Sequence, residues 1–597
     1  MKNAKFTLLL IVICFLLNFS PKIYGQTLPS ARSVNWTIAG LRDTTTIGFQ
    51  EIDMQTHGVV GNGVTSNDTI LSNVISSLVG TGAIIKFPNG NFLFNHTITL
   101  PANVIIKGKG AANTIFTMNL NGAGNSFNIH GTVSNVDTTS LIQSSSKDSN
   151  SIVVQNTSHF SIGDWVQIMQ LDTDWVTSAW AENTVGQILN ITSISGNKIT
   201  LASPLRINFV ISRFAHIRKI NPIKNVGIEC LKIERIDSTA PEQSSNINFL
   251  YAVNCWVSGI ESHNCTFAHI DAEVSSNLLI SRNYFHHAFW YGSNGRAYGV
   301  LLNATTNECR VEDNVFEHLR HSMILQSGAN GNVFAYNYSF DPIWETSSIF
   351  LPANSAGDMV LHGNYPYANL FEGNICQNIV IDDSHGQNGP DNTFFRNRAE
   401  GYGIFFSAST SPNQIFIGND IPNTTSPYSI VNYTIQGTGH FLYGNNNKGT
   451  IVPSGTVALP DISYAYTHRP DFIPAQQWGV IGTPNVMGSG NNPAHDRYSL
   501  NNIFGTSCGN STVEVLNNNN NELQIYPNPI KSSLFIKSDQ LFKNVAVFNG
   551  LGQTIISKDI TDKNCSFDTS KWNEGLYVVI VRLSDDTVIV KKIVKVQ

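Results

Sequence analysis

Six short runs decide the fold: LLISRNYF (278–285), CRVEDNVF (309–316), NVFAYNYS (332–339), NLFEGNIC (369–376), NTFFRNRA (392–399) and QIFIGNDI (414–421). Each is apolar and strand-forming, and each breaks at one Asn: Asn283, Asn314, Asn337, Asn374, Asn397 and Asn419. The intervals between them are 31, 23, 37, 23 and 22 residues. A repeat near 22–23 residues with occasional insertions predicts a parallel β-helix, each turn of the coil supplying a few short strands. The shared Asn would sit at one internal bend and stack into a ladder of side-chain amides. An antiparallel sandwich would instead show hairpin turns every ~8–12 residues and no fixed Asn phase.

Composition agrees with short strands and tight turns. Charged residues make up 13% of the 597, against about 25% in an average globular protein. The 36 Lys and Arg against 42 Asp and Glu leave a net charge of −6. Apolar content of 41% excludes a disordered polyelectrolyte, and the low charge excludes a coiled coil. A negative net charge argues against a nucleic-acid partner held by a general basic field.

The two ends read as addresses. Residues 1–25 form a signal peptide: Lys2 and Lys5, then an apolar run over 6–17 that is shorter than the ~20 residues a membrane helix needs. Cleavage is expected near Gly25-Gln26, and no later run suits a transmembrane segment. Of eight cysteines, Cys14 leaves with the signal. Cys230, Cys255, Cys265, Cys309 and Cys376 are expected to fill a core as small hydrophobes, without a disulfide framework.

At the other end, five consecutive Asn (517–521) mark a linker over 507–523. Beyond it, short apolar runs alternate with Asn-Pro, Asn-Gly and Asp-Asp turn signals, so 524–597 is expected to be an antiparallel β-sandwich. The runs YPNPIKSSLFIK (526–537), VAVFNGLGQTI (545–555) and NEGLYVVIV (573–581) closely resemble the C-terminal sorting domain of the type IX secretion system of Bacteroidetes-type bacteria. That resemblance implies the secretion machinery as a partner. It also implies a mature protein that is secreted or held at the outer-membrane surface of such a Gram-negative bacterium.

The start of the coil carries a second resemblance. HGVVGNGVTSNDT (57–69), GAIIKFPNGNFLF (82–94) and LPANVIIKGKGAANTIF (100–116) resemble the N-terminal signature of the pectate-lyase-like superfamily of rhamnogalacturonase and epimerase type. It implies a right-handed coil, here placed at 46–506, with a short helix near 68–79 capping its open end. One departure is Asn62, where that superfamily commonly carries Asp. The expected fold class is therefore all-β: a right-handed parallel β-helix with a small inserted β subdomain and the C-terminal sandwich. The insertion is placed at 140–205, whose flanking runs alternate like antiparallel strands. Its loop 171–184 carries Trp175 and Trp180, which either stack on sugar rings or cover the core of the insertion.

Stacked strands lie about 4.8 Å apart, so outward side chains on neighbouring turns make a continuous surface suited to an extended polymer. The strands before each Asn-ended run are IDAE (270–273), GVLL (299–302), SMILQ (322–326), DMVLHG (358–363), IVIDDSHG (379–386) and GIFFS (403–407). Their C-terminal positions read Glu273, Leu302, Gln326, His362, Asp382 with Asp383, and Phe406. The candidate catalytic residues are His362, Asp382, Asp383, His385, His321, Arg396 and Arg398. Arg396 and Arg398 alternate on a strand and so should share a face. Gln326, Arg320, Trp175 and Trp180 are candidate substrate contacts. Asp382 and Asp383 are candidate ligands for a hard cation such as Ca²⁺.

Two chemistries fit these residue types. A lyase neutralises a uronate carboxylate with Arg or Ca²⁺ and removes the adjacent proton with a base such as His. A hydrolase needs two carboxyls, one acting as acid. Polygalacturonase-like enzymes pair Asp-Asp with His-Gly and a later Arg-x-Lys. Here His362-Gly363 and His385-Gly386 are present, but the Arg-x-Lys is not. The favoured expectation is a monomeric secreted enzyme acting on an acidic polysaccharide, with lyase ahead of glycosidase. The alternative is a noncatalytic surface protein that binds glycans.

Overall fold

The computed structural model describes residues 27–597, apart from 43–48, 79, 238–242, 293, 346–356, 424–432, 457–458, 474–477, 502–507, 509–522, 527–529, 539, 550–552, 585–587 and 597. The proposed signal peptide and most of the Asn-rich linker lie outside the described residues. The chain divides into two units, 1–513 and 514–597.

The first unit is a right-handed parallel β-helix. A twelve-stranded parallel sheet runs from Gln50–Asp53 to Phe441–Tyr443 in chain order. One turn of the coil contains Trp256–Ser258, Glu261–Cys265 and Ala268–Glu273. The next contains Leu279–Ser281, Tyr284–Ala288 and Tyr298–Asn303, each strand pairing in parallel with its equivalent. Among the described residues no further strand pairs outside the first turn, and the helix Asp68–Ser76 buries Leu71 and Val74 against the core.

The Asn ladder exists and extends one rung beyond the six Asn of the repeat, to Asn445. Nδ2 of Asn283 donates to Oδ1 of Asn314 at 3.0 Å, and the pattern repeats to Asn419 and Asn445 at 2.9–3.1 Å. Each Oδ1 also accepts the backbone N–H of the Asn one turn earlier. A second ladder, Asn332, Asn369, Asn392 and Gln414, lines another corner. The residue before every rung of the first ladder is left-handed: Arg282, Asp313, Tyr336, Gly373, Arg396, Gly418 and Gly444 have φ of 53–68°. That conformation turns the corner, and the buried amides satisfy backbone groups that the corner would otherwise strand. Inside the coil, Phe334, Phe371, Phe394 and Phe416 stack with centroids 4.8–5.3 Å apart, adding about 0.5–1.5 kcal/mol per pair beyond burial.

The insertion is a six-stranded antiparallel sheet bounded by Thr132–Ser140 and His216–Asn221, wider than the 140–205 read from sequence. Its own core, including Ile168, Leu189 and Ile217, extends onto Tyr367 and Ala368 of the coil. Cys230 and Cys508 form a disulfide, against the expectation of none. Their Cα atoms are 5.4 Å apart although 278 residues separate them, a proximity that chain spacing does not display. Cys255, Cys265, Cys309 and Cys376 are free and buried. The second unit holds a three-stranded and a four-stranded antiparallel sheet around a core that includes Leu534, Val547 and Val579.

Candidate active site

Register fixes which side chains form the outward column. Leu302 pairs with Leu325, Leu325 with Leu361, Leu361 with Ile381 and Ile381 with Phe406. All of these are core residues. The positions that follow them point outward and read Asn303, Gln326, His362, Asp382 and Ser407, preceded by Glu273 opposite Asn303. The sequence alignment was therefore one residue early at Leu302 and Phe406. A one-residue slip on a strand moves a side chain to the other face.

This column opens into a cleft of about 1120 Å³. Nδ1 of His362 lies 2.6 Å from Oδ2 of Asp382, close but without hydrogen-bond geometry. Burial works against ionisation of Asp382. The His362 contact, with the N–H and hydroxyl of Ser384, outweighs it and holds the carboxyl well below the usual range. His385 meets the His362 ring edge-on at 4.8 Å. His321 lies 5.4 Å from the His362 ring, and its Nδ1 is 2.6 Å from the Gly357 carbonyl. Burial, then the charge of Arg320, pushes the His321 pKa well down, and burial with His362 lowers that of His385.

Arg320 is the cleft's cation. Its guanidinium sits over the Trp344 ring at 5.0 Å, and one nitrogen donates to the Gly292 carbonyl at 3.0 Å. Nε has no partner among the described residues. Gln326 lines the cleft, and Trp180, 57% exposed, stands at its rim with its ring 6.1 Å from His385. Trp175 is elsewhere: it stacks on Tyr365 at 4.7 Å beneath Arg213, as core cover for the insertion.

Three candidates have their polar atoms engaged by the surrounding fold, Asp383 while also lining the cleft. Asp383 spends its carboxylate on Thr410, Ser411 and Asn388. Arg396 is not on a strand face. It occupies the left-handed corner and points away from the cleft, to the carbonyls of Ile481 and Pro460. Arg398 is 1% exposed and binds the carbonyls of Ser489 and Gly490. Both arginines are thus held by the segment 481–490.

Sequence reasoning passed over the acidic end of the cleft. Asp271 and Glu273, two apart on one strand, both line the cleft. Burial first, then the Glu273 charge, pushes Asp271 well up, and burial raises Glu273 too. Two apart on a strand predicts a shared face, so the signal was available. Trp344 reaches the cleft from a loop and had no such signal.

Calcium does not fit the Asp382–Asp383 pair. The oxygens of Asp382 are engaged by His362, Ser384 and Ser407, and those of Asp383 by four donors. A hard cation needs several unspent oxygens converging at 2.3–2.6 Å.

Residues 524–596 match the family described as secretion system C-terminal sorting domain. Residues 52–203 match the family described as rhamnogalacturonase A/epimerase, pectate lyase-like. Both agree with the resemblances read from sequence. The chain is 26% identical over 206 residues to a capsule K1-specific depolymerase of Klebsiella phage K64-1. That alignment covers 33% of this chain and spans only 22% of the relative. The tailspike protein gp49 of Pseudomonas phage LKA1 superposes with a TM-score of 0.46 at 12% identity, over 62% of this chain and 64% of that one. The Gp54 tailspike of Acinetobacter baumannii bacteriophage AP22, solved with a capsular saccharide, gives 0.35 at 12% identity over 68% and 74%.

Proposed function

We propose that this chain is exported through an N-terminal signal and its C-terminal sorting domain, and depolymerises an acidic extracellular polysaccharide by β-elimination. The observation that carries this reading is the convergence of the His362–Asp382 pair and Arg320 on one cleft. Arg320 would bind the uronate carboxylate and disperse the charge that develops as the α-proton leaves. Asp382, held ionised, orients His362 through Nδ1, so that Nε2 is the basic nitrogen offered to that proton. The electron pair released at the α-carbon forms the new double bond as the glycosidic C–O bond breaks, and the leaving oxygen takes a proton. Trp180 at the rim supplies a face for a sugar ring, and Gln326 a polar contact along the groove.

A second reading is favoured by Asp271, whose carboxyl pKa burial and the Glu273 charge push well up. A hydrolase uses such a group as its acid. Three rungs separate Glu273 from His362, or roughly 14 Å at about 4.8 Å per rung. The acidic pair would therefore act alone rather than with Asp382.

The test incubates the full chain with a panel of acidic and neutral polysaccharides, following the ultraviolet absorbance of unsaturated uronate and new reducing ends. Both signals are expected to rise on an acidic glycan and to vanish with His362→Ala. Reducing ends alone would overturn elimination and move the chemistry to Asp271 and Glu273. Neither signal, with binding retained, would establish a glycan-binding surface protein instead.

A further inference from the structure

A second cluster lies outside the cleft, on the strands Glu261–Cys265 and Tyr284–Ala288. His263 and His286 are register partners on adjacent turns, and their rings stack at 4.5 Å and 14°. The next residue, His287, is left-handed at φ 61°, which swings its ring perpendicular to both others. Nδ1 of His286 and Nδ1 of His287 are 3.0 Å apart. One nitrogen from each of the three rings lies within 4.8 Å of the others.

The surroundings orient these rings. Nδ1 of His263 contacts Oε1 of Glu234 at 2.7 Å, and Nε2 of His286 contacts Oε1 of Glu261 at 3.2 Å. Lys232 bridges both carboxylates at 2.5 and 3.0 Å. With one nitrogen of His263 and one of His286 committed to a carboxylate, the opposite nitrogen of each carries a lone pair, while Nδ1 of His287 meets only Nδ1 of His286. A carboxylate behind the imidazole is the arrangement that fixes metal-ligating histidines and raises their basicity. His269, the neighbouring buried histidine, has both nitrogens engaged, by Ser262 and by the His287 carbonyl, and takes no part.

From this geometry we infer that His263, His286 and His287 form a binding site for a borderline transition-metal dication of the zinc class, with Glu234 and Glu261 as outer-shell partners. The donor set is three imidazoles without thiolate, which suits Zn²⁺, Ni²⁺ or Cu²⁺ rather than Ca²⁺ or Mg²⁺. Two Zn–N bonds of about 2.0–2.1 Å at a tetrahedral angle put their nitrogens roughly 3.3 Å apart. The His286–His287 separation is already within a few tenths of that. The ion would clip two successive turns at the base of the segment whose Gly292 carbonyl holds Arg320 and whose Asn294 lines the cleft.

The bland alternative is a hydrogen-bonded histidine pair that needs no ion. The experiment is calorimetric titration of the untagged, chelator-treated full chain with ZnCl₂, with Co²⁺ absorption as a geometric readout. One equivalent with tetrahedral cobalt bands and a raised Tm is expected. His286→Ala and His287→Asn should abolish both, and Glu234→Gln should weaken binding roughly 10–100-fold. His287→Asn is the safeguard if the more buried His286 variant fails to fold. Substoichiometric binding, or binding unchanged in folded His287→Asn and Glu234→Gln proteins, would overturn the site.

Discussion

His362 and Asp382 occupy equivalent outward positions on adjacent turns, and Nδ1 of one stands 2.6 Å from Oδ2 of the other. The pair joins residues 20 apart in sequence through parallel register alone. Asp382→Asn keeps the shape but removes the charge that orients and polarises the imidazole. We expect kcat to fall about 10²–10⁴-fold with KM little changed, measured as initial rates on the glycan that the wild type cleaves.

Asp383, its neighbour, is expected to behave differently. Asp383→Ala removes the acceptor of the buried Ser411 hydroxyl, at about 1–3 kcal/mol, together with the exposed Thr410 contact and one of the acceptors of Asn388. Tm should drop while kcat falls less than about tenfold, below the range of a lost general base. A larger kcat loss at full stability would return Asp383 to the chemistry.

The acidic end gives a pH signature. The raised Asp271 pKa means that the folded state retains a proton which the unfolded chain has released above about 3.9. Its stabilising contribution is complete below that value and is lost as pH rises through the folded pKa. Asp271→Asn should therefore melt above wild type at about pH 8, with the gap narrowing toward about pH 4. Tm against pH for the two proteins checks this.

His321 titrates with the opposite sense. Its folded pKa is depressed, by burial and then by Arg320, so the unfolded chain takes up a proton first as pH falls below about 6.5. Wild type should lose stability across that window. His321→Gln should flatten the slope of unfolding free energy against pH, read by urea denaturation.

The ladder is expected to be costly to break. Asn374 donates to the Phe334 carbonyl and to Asn397, and accepts from the backbone and side chain of Asn337. Asn374→Ala should cost at least about 3 kcal/mol. An effect below about 1 kcal/mol would mean that the corner repacks without it.

The residue column shows how far the sequence could be read. Polar residues in the middle turns pointed to His362, Asp382, Gln326, Arg320, His321 and His385, and the structure brings these together. Asn303 and Ser407 were missed because apolar Leu302 and Phe406 end their runs, and only hydrogen-bonded register says which of two neighbours faces out. The guanidinium groups of Arg396 and Arg398 are taken up by carbonyls of the later segment 481–490, a packing that strand alternation does not display.

The repeat of Asn and apolar runs by itself determined that this chain coils in parallel turns, because buried amides and strand-forming side chains recur at the period such a coil requires. The sorting domain was equally legible in its local turn chemistry. Tertiary structure alone decided the cleft wall, the Cys230–Cys508 link, the Asp271–Glu273 pair and the three-histidine cluster. Each depends on stacking of turns, on insertion packing or on a corner, and of these only the i, i+2 spacing of Asp271 and Glu273 leaves a mark along the chain.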